Sequence, residues 1–171
     1  MVRKLSDVII RNASEQDADA MAAYMAALSA EELDTVTRRP PPSVDDERAF
    51  VRKAQGAERA FILLAFCGGE LVGLLDLWAR GAPEFRHCGH FGMSVAKEWR
   101  GKGVGRRLLN VALRDALAWE GFCRLELEVT PWNTPAIRLY ESLGFKVEAR
   151  KAKAANFRGS PEEVILMART W

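Results

Sequence analysis

Seven consecutive apolar residues, Ala60-Phe61-Ile62-Leu63-Leu64-Ala65-Phe66, run into Cys67-Gly68-Gly69-Glu70 and then a second apolar stretch from Leu71 to Trp78. No polar side chain interrupts the first run, so as a strand it has no face to give to water and must be buried on both sides. The paired glycines supply the turn of a hairpin. Gly81-Ala82-Pro83 then breaks the pattern, and His87 to Val95 reads as a third strand of the same meander. The middle of the chain is therefore a buried sheet.

The flanking segments read differently. Val8-Ile9-Ile10-Arg11 is a short strand, and Ser14 with Asp17 three residues on marks a helix start. The Ala-rich stretch to Leu28 favours helix. Ser29 to Val44 is loop-like around three prolines, and Ser43 caps a second helix to about Gln55 with Phe50 and Val51 inward. Beyond the meander, Val104, Leu108, Ala112 and Ala116 fall on one helical stripe with Leu109, Leu113 and Leu117 beside it, and the helix closes near Gly121. Cys123 to Val129 alternates: Leu125, Leu127 and Val129 point one way, Glu126 and Glu128 the other. Asn133-Thr134-Pro135 opens a last helix, which Gly144 closes. Phe145 to Ala149 and Glu163 to Arg169 read as two final strands. The order predicts a mixed α/β domain.

A chain of 171 residues suits one domain, here 8–171, with a sizeable core. A net charge of +2 makes no global case for nucleic acid or an anionic membrane. No apolar run approaches the ~20 residues of a membrane span. The opening residues lead only to Val8-Ile9-Ile10, too little for a signal peptide. Cys67, Cys88 and Cys123 are odd in number and scattered, which fits a reducing cytoplasm.

The segment with the most chemical content is Arg100-Gly101-Lys102-Gly103-Val104-Gly105-Arg106, between a predicted strand and the long amphipathic helix. Glycines let backbone amides approach a ligand, and a helix N-terminus adds unpaired N–H groups with partial positive charge. Together they suit a pyrophosphate. Lys97, Arg100, Lys102, Arg106 and Arg107 add cations, opposed only by Glu98. The competing reading is a glycine-rich turn with a solvated basic face. The spacing matches neither GxxxxGK nor GxGxxG.

Arg100-x-x-Gly103-x-Gly105 after a strand resembles the acetyl-coenzyme A signature of the GCN5-related N-acetyltransferases, the GNAT family. Asn133 and the run from Ala136 through Tyr140 to Phe145 resemble the family's second signature, in the right order and at the right separation. The element order is similar to the family's from Val8 to the end. The loop Asn156-Phe157-Arg158-Gly159 adds a likeness to bacterial small-molecule members that act on amino acids. The resemblance implies a GNAT fold: a mixed sheet of about seven strands, about four helices, and a splayed strand pair, here ending at Val95 and Thr130. It implies acetyl-coenzyme A as cosubstrate and no metal. Its pantetheine arm would pair with the backbone of Met93, Ser94 and Val95. Amides from Arg100 through Gly101, Lys102, Gly103, Val104 and Gly105 to Arg106 would hold the pyrophosphate, and Asn133 would contact the arm.

The implied activity is transfer of the acetyl group to the primary amine of a small molecule, an amino acid among the candidates. The alternatives are acetylation of a ribosomal-protein N-terminus and a coenzyme A sensor without turnover. Backbone N–H of Val95 is a candidate donor to the developing oxyanion. Tyr140 is the candidate acid for the leaving thiolate, against a purely packing role between Leu139 and Leu143. Glu128 is the candidate base, against the reading that Glu126 and Glu128 line a solvated strand face. His87, Cys88 and His90 do not converge as metal ligands, because strand neighbours point to opposite faces. Cys123 is no nucleophile if transfer is direct. Arg38, Arg39 and Arg86 are candidate partners for a substrate carboxylate. The expected partners are a small amine and, by analogy, a second copy of the chain.

Overall fold

The computed structural model describes residues 4–31, 35 and 40–171. Seven strands form one sheet: β1 (Val8–Asn12), β2 (Ala60–Cys67), β3 (Glu70–Ala79), β4 (Cys88–Val95), β5 (Arg124–Val129), β6 (Lys146–Phe157) and β7 (Ser160–Thr170). Their spatial order is β1-β2-β3-β4-β5-β7-β6. Neighbours run antiparallel except β4 and β5, which are parallel. Four α-helices are described: α1 (Ala18–Ala30), α2 (Val44–Gly56), α3 (Val104–Leu117) and α4 (Thr134–Ser142). This is the mixed α/β architecture expected from the sequence. None of the described helices is long and apolar enough to cross a membrane.

Side-chain parity divides the core in two. On one face, Leu63, Ala65, Leu75, Leu77, Phe91, Leu125, Leu127 and Val129 pack with Val104, Leu108, Leu109, Ala112 and Ala116 of α3. On the other, Ile62, Leu64, Leu71 and Leu74 pack with Met21 and Tyr24 of α1 and Val51 and Ala54 of α2. Full burial of a single leucine contributes roughly 1.5–3 kcal/mol, so the α3 stripe anchors the helix to the sheet. Gly73 sets how closely they approach: a Cβ there would lie 2.9 Å from Leu108 Cδ1 and 3.1 Å from Val104 Cγ1.

Helix starts follow the capping residues. Ser43 Oγ accepts the Asp46 N–H (3.1 Å), and the Asp46 carboxylate accepts the Ser43 N–H (2.9 Å). At Ser14 the structure departs from the expected helix start. Residues Glu15–Asp17 make a 3₁₀ turn first, and α1 begins at Ala18. Asp17 is the pivot, accepting from Ser14 N (2.8 Å) and from both Arg11 Nη atoms (2.8 and 2.6 Å).

The last two strands are also longer than the apolar pattern suggests. They form a hairpin whose turn residues Arg158 (φ 53°) and Gly159 (φ 85°) are both left-handed. Most of β6 is exposed at the sheet edge. Its Lys, Arg and Ala residues therefore give no hydrophobic alternation, and backbone pairing to β7 holds the strand.

Candidate active site

β4 and β5 pair only at Cys88↔Arg124, Gly89↔Leu125 and His90↔Glu126. Beyond His90 both strands continue, β4 against β3 as far as Val95 and β5 against β7 as far as Val129. They diverge, and a gap opens between them. Ala96 N–H bonds Val72 O (3.0 Å), and Cys88 O accepts Arg80 N–H (2.9 Å), so even-numbered residues of β4 turn their backbone to β3. Met93 and Val95 therefore turn theirs into the gap. Arg100 Nε donates to Val95 O there at 3.0 Å. Ser94, expected beside them on the cofactor, has its backbone committed to the β3 edge and its side chain on the α1/α2 face.

The glycine-rich loop sits at the open end. Gly103 has φ 90°, a left-handed conformation that turns the chain into α3. The first helical bond of α3 is Arg107 N–H to Gly103 O (3.1 Å). The N–H groups of Val104, Gly105 and Arg106 precede it and have no carbonyl within the helix to bond. The loop's side chains are more committed than their charges suggest. Arg100 is clamped on Glu31 through both Nη atoms (2.7 and 2.9 Å), Arg106 donates to Ser142 Oγ (2.8 Å), and Lys102 lies over the Trp99 ring. An anion here meets amides first.

Tyr140, on α4, packs edge-on against Phe91, the first residue of β4 beyond the paired stretch, with ring centroids 5.8 Å apart. Burial alone pushes its phenol up to about 12, so it holds its proton at neutral pH. No described hydrogen bond reaches the hydroxyl. At the end of β5, Thr130 Oγ1 is buried with no hydrogen-bond partner among the described residues. Such an orphan costs about 1–3 kcal/mol, which a polar group entering beside it would offset. Asn133 stands at the N-cap of α4 without a side-chain capping bond. Inward amides, an uncapped helix end and an orphaned hydroxyl together fit a ligand with a diphosphate and an amide-bearing arm.

The two strand glutamates part company. Glu126 is buried, paired with Arg80 and Arg124. Burial pushes its carboxyl up, but the two guanidinium groups outweigh that and leave it below the ordinary range. Glu126 thus does not line a solvated face. Glu128 lies on the splayed length of β5, 40% exposed and ion-paired with Lys151 of β6. His87 and His90 are exposed, whereas Cys88 is buried. Arg86 pairs with Glu58, and Arg38 and Arg39 lie outside the described residues.

On the α1/α2 face a cavity of about 260 Å³ adjoins Gly92, Met93 and Ser94. Leu74 and Asp76 of β3, Met25 and Leu28 of α1, and Asp46, Glu47 and Phe50 of α2 also line it. The charged side chains among these are all carboxylates. Tyr24 of α1, 7% exposed, reaches Ser94 Oγ at 3.0 Å. Sequence reading missed Tyr24, Asp46, Glu47 and Asp76. Asp46 and Glu47 lie in the charged first turn of a helix, and Tyr24 and Asp76 stand alone among apolar neighbours.

Comparison with known proteins identifies the family. Residues 24–145 match the model of the Acetyltransferase (GNAT) family. The chain is 28% identical over 165 residues to the L-amino acid N-acetyltransferase AaaT of Escherichia coli (strain K12), covering 96% of this chain and 99% of that protein. It is 37% identical over 78 residues to the [Ribosomal protein bS18]-alanine N-acetyltransferase of the same strain, covering 46% of this chain and 52% of the other. Among solved structures, an acetyltransferase of the GNAT family from Streptococcus pneumoniae superposes with a TM-score of 0.88 at 26% identity, over 95% of this chain and 98% of that one.

Proposed function

Because the chain belongs to the Acetyltransferase (GNAT) family and is an acetyl-CoA-dependent N-acetyltransferase, we propose that it acetylates the primary amine of a small molecule, with amino acids and their derivatives the first acceptors to test. The observation that carries this reading is the cavity beside Ser94, set against the gap between β4 and β5. A cavity of about 260 Å³ matches a small free amine in size, whereas a protein N-terminus needs a longer groove. The carboxylates of Asp46, Glu47 and Asp76 favour the ammonium end of the acceptor.

Bound in the gap, acetyl-coenzyme A supplies the acetyl group as a thioester. The amides of Gly103, Val104, Gly105 and Arg106 hold its diphosphate, the backbone of Met93 holds the arm, Val95 N–H meets the acetyl end, and Asn133 and Thr130 complete the polar wall. The neutral amine attacks the thioester carbonyl carbon, the C–S bond breaks, one amine proton is lost, and one proton is placed on sulfur. Val95 N–H donates to the carbonyl oxygen as charge grows there. Tyr140, protonated and buried, donates the proton to sulfur and is reprotonated from solvent. Glu128, on the same sheet face as the cavity, receives the proton from the amine directly or through water.

The test is thiol release from acetyl-coenzyme A against a panel of amino acids, amino-acid amides, diamines, and a peptide with a free N-terminus. Turnover of free small amines well above the peptide supports the reading. Turnover of the peptide alone would overturn it.

A further inference from the structure

Three consecutive residues of β4 serve two compartments. Met93 and Val95 present backbone to the gap, while Ser94 presents its hydroxyl to the cavity on the other side of the strand. Successive residues are only about 3.3 Å apart along a strand, so a group held at Ser94 and a group held at Val95 N–H have neighbouring anchor points on β4. Ser94 and its neighbour Met93 stand where the acceptor cavity meets the groove.

Its hydroxyl is not left to rotate freely. Tyr24 Oη stands 3.0 Å away, on a residue of α1 that is 93% buried between the helix and the sheet. Burial pushes the Tyr24 phenol up to about 12, with Ser94 and the Arg100–Glu31 pair as its polar neighbours. In the pair, Tyr24 Oη donates and Ser94 Oγ accepts. A serine oxygen that accepts from a tyrosine keeps one lone pair and its own proton for a third group. Asp76 crowds the same spot: a Cβ on Gly92 would lie 2.9 Å from its Oδ1. Met25, Leu28, Phe50 and Leu74 supply apolar lining around them, with Asp46 and Glu47 on the α2 wall.

We propose that the Tyr24–Ser94 hydroxyl pair positions the acceptor amine: Ser94 Oγ, fixed by Tyr24, accepts one N–H of the amine and turns the nitrogen lone pair toward the thioester carbonyl. This rests on the reading that the acceptor enters the cavity and the thioester lies along Met93 and Val95. Ser94 touches the substrate; Tyr24 acts through Ser94 and is a positioning residue. The arrangement moves no proton of its own and leaves the acid and base roles unchanged.

Steady-state kinetics on Ser94→Ala, Tyr24→Phe and the double variant test it, with both substrates varied. Misplacing a reacting group by about 1 Å costs on the order of 10²-fold, so Ser94→Ala is expected to lower kcat/KM for the amine by roughly 10- to 100-fold. The KM for acetyl-coenzyme A and its thermal stabilisation of the protein stay at parent values. Tyr24→Phe is expected to cause a similar or smaller loss, the double variant to be no worse than Ser94→Ala, and Ser94→Thr to recover much of the activity. A mere tether between helix and strand gives another pattern: melting temperatures fall while the amine kcat/KM of the folded variants matches the parent. That pattern, or losses that multiply in the double variant, overturns the proposal. Parent protein that binds coenzyme A but turns over no amine would defeat the functional reading beneath it, a distinct outcome from active parent with unaffected variants.

Discussion

Replacing Gly103 with valine forces a β-branched residue into φ 90° and brings a Cβ to 3.1 Å from Leu5 Cδ2. Holding a side chain in that region costs on the order of 1–3 kcal/mol. The loop relieves the strain by rotating the peptide planes on either side, including the amide of Val104 at the first turn of α3. If the binding geometry bears the whole cost, affinity for coenzyme A falls by ~5- to 150-fold, since about 1.4 kcal/mol is tenfold. Thermal shift reads this directly. Ligand at a hundred times its Kd stabilises the parent by ~2.7 kcal/mol. For a chain of this size that raises Tm by ~5–11 °C, at ~2–4 °C per kcal/mol. If affinity drops ~100-fold, the same concentration gives only ~0.4 kcal/mol, a shift of about 1–2 °C. Gly69→Val is the control. It sits at φ 82° in the β2–β3 turn with nothing within 4 Å of its Cβ position, so it carries comparable strain far from the loop. It is expected to melt earlier and still respond fully to coenzyme A. A Gly103→Val protein that is folded and keeps the parent's full shift would refute the assignment of the amides to the diphosphate.

Tyr140→Phe removes a donor and little volume, so kcat falls by roughly 10²-fold while the coenzyme A thermal shift is retained, and a fully active variant would make Tyr140 a packing residue. Glu128→Gln is expected to lose activity at neutral pH and regain it as pH rises, because the amine then deprotonates in solution; an unchanged pH–rate profile would transfer the base role to another group. Glu126→Gln serves poorly as a silent control, since it breaks buried pairs with Arg80 and Arg124 and is expected to lower Tm. Asp17 is held down to about 2, chiefly by its hydrogen bonds from Arg11, against burial that pushes it up. A depressed carboxylate stabilises the fold above its unfolded value and loses that stabilisation as pH falls, so Asp17→Asn should destabilise by about 2 kcal/mol above pH 5, with most of the difference gone by pH 2 in urea titrations.

What could be read from the sequence is what short-range pattern encodes. The unbroken run Ala60 to Phe66 specified a doubly buried strand, the glycines from 101 to 105 specified an exposed helix N-terminus, and the α3 stripe specified which residues cover the sheet. Each signal lies within a few residues of its consequence. The acceptor cavity has no such signal, because its walls come from α1, α2, β3 and β4. Tyr24 and Ser94 are 70 positions apart, and an alanine-rich helix gives no hint that one tyrosine reaches the sheet. Glu126 and Glu128 share strand, charge and parity, and only the arginines folded against the first separate them.

Strand parity nonetheless reaches further into the site than the motif does. The period-two rule that sets Leu125, Leu127 and Val129 against the two glutamates also sets Ser94 against Met93 and Val95. A polar residue between two apolar ones, on a strand whose flank lacks a partner, must show its side chain to one compartment and its neighbours' amides to another. A transferase needs both, one for each substrate, at a single point of contact. In the reading proposed above, the amine and the thioester meet beside β4 at residue 94.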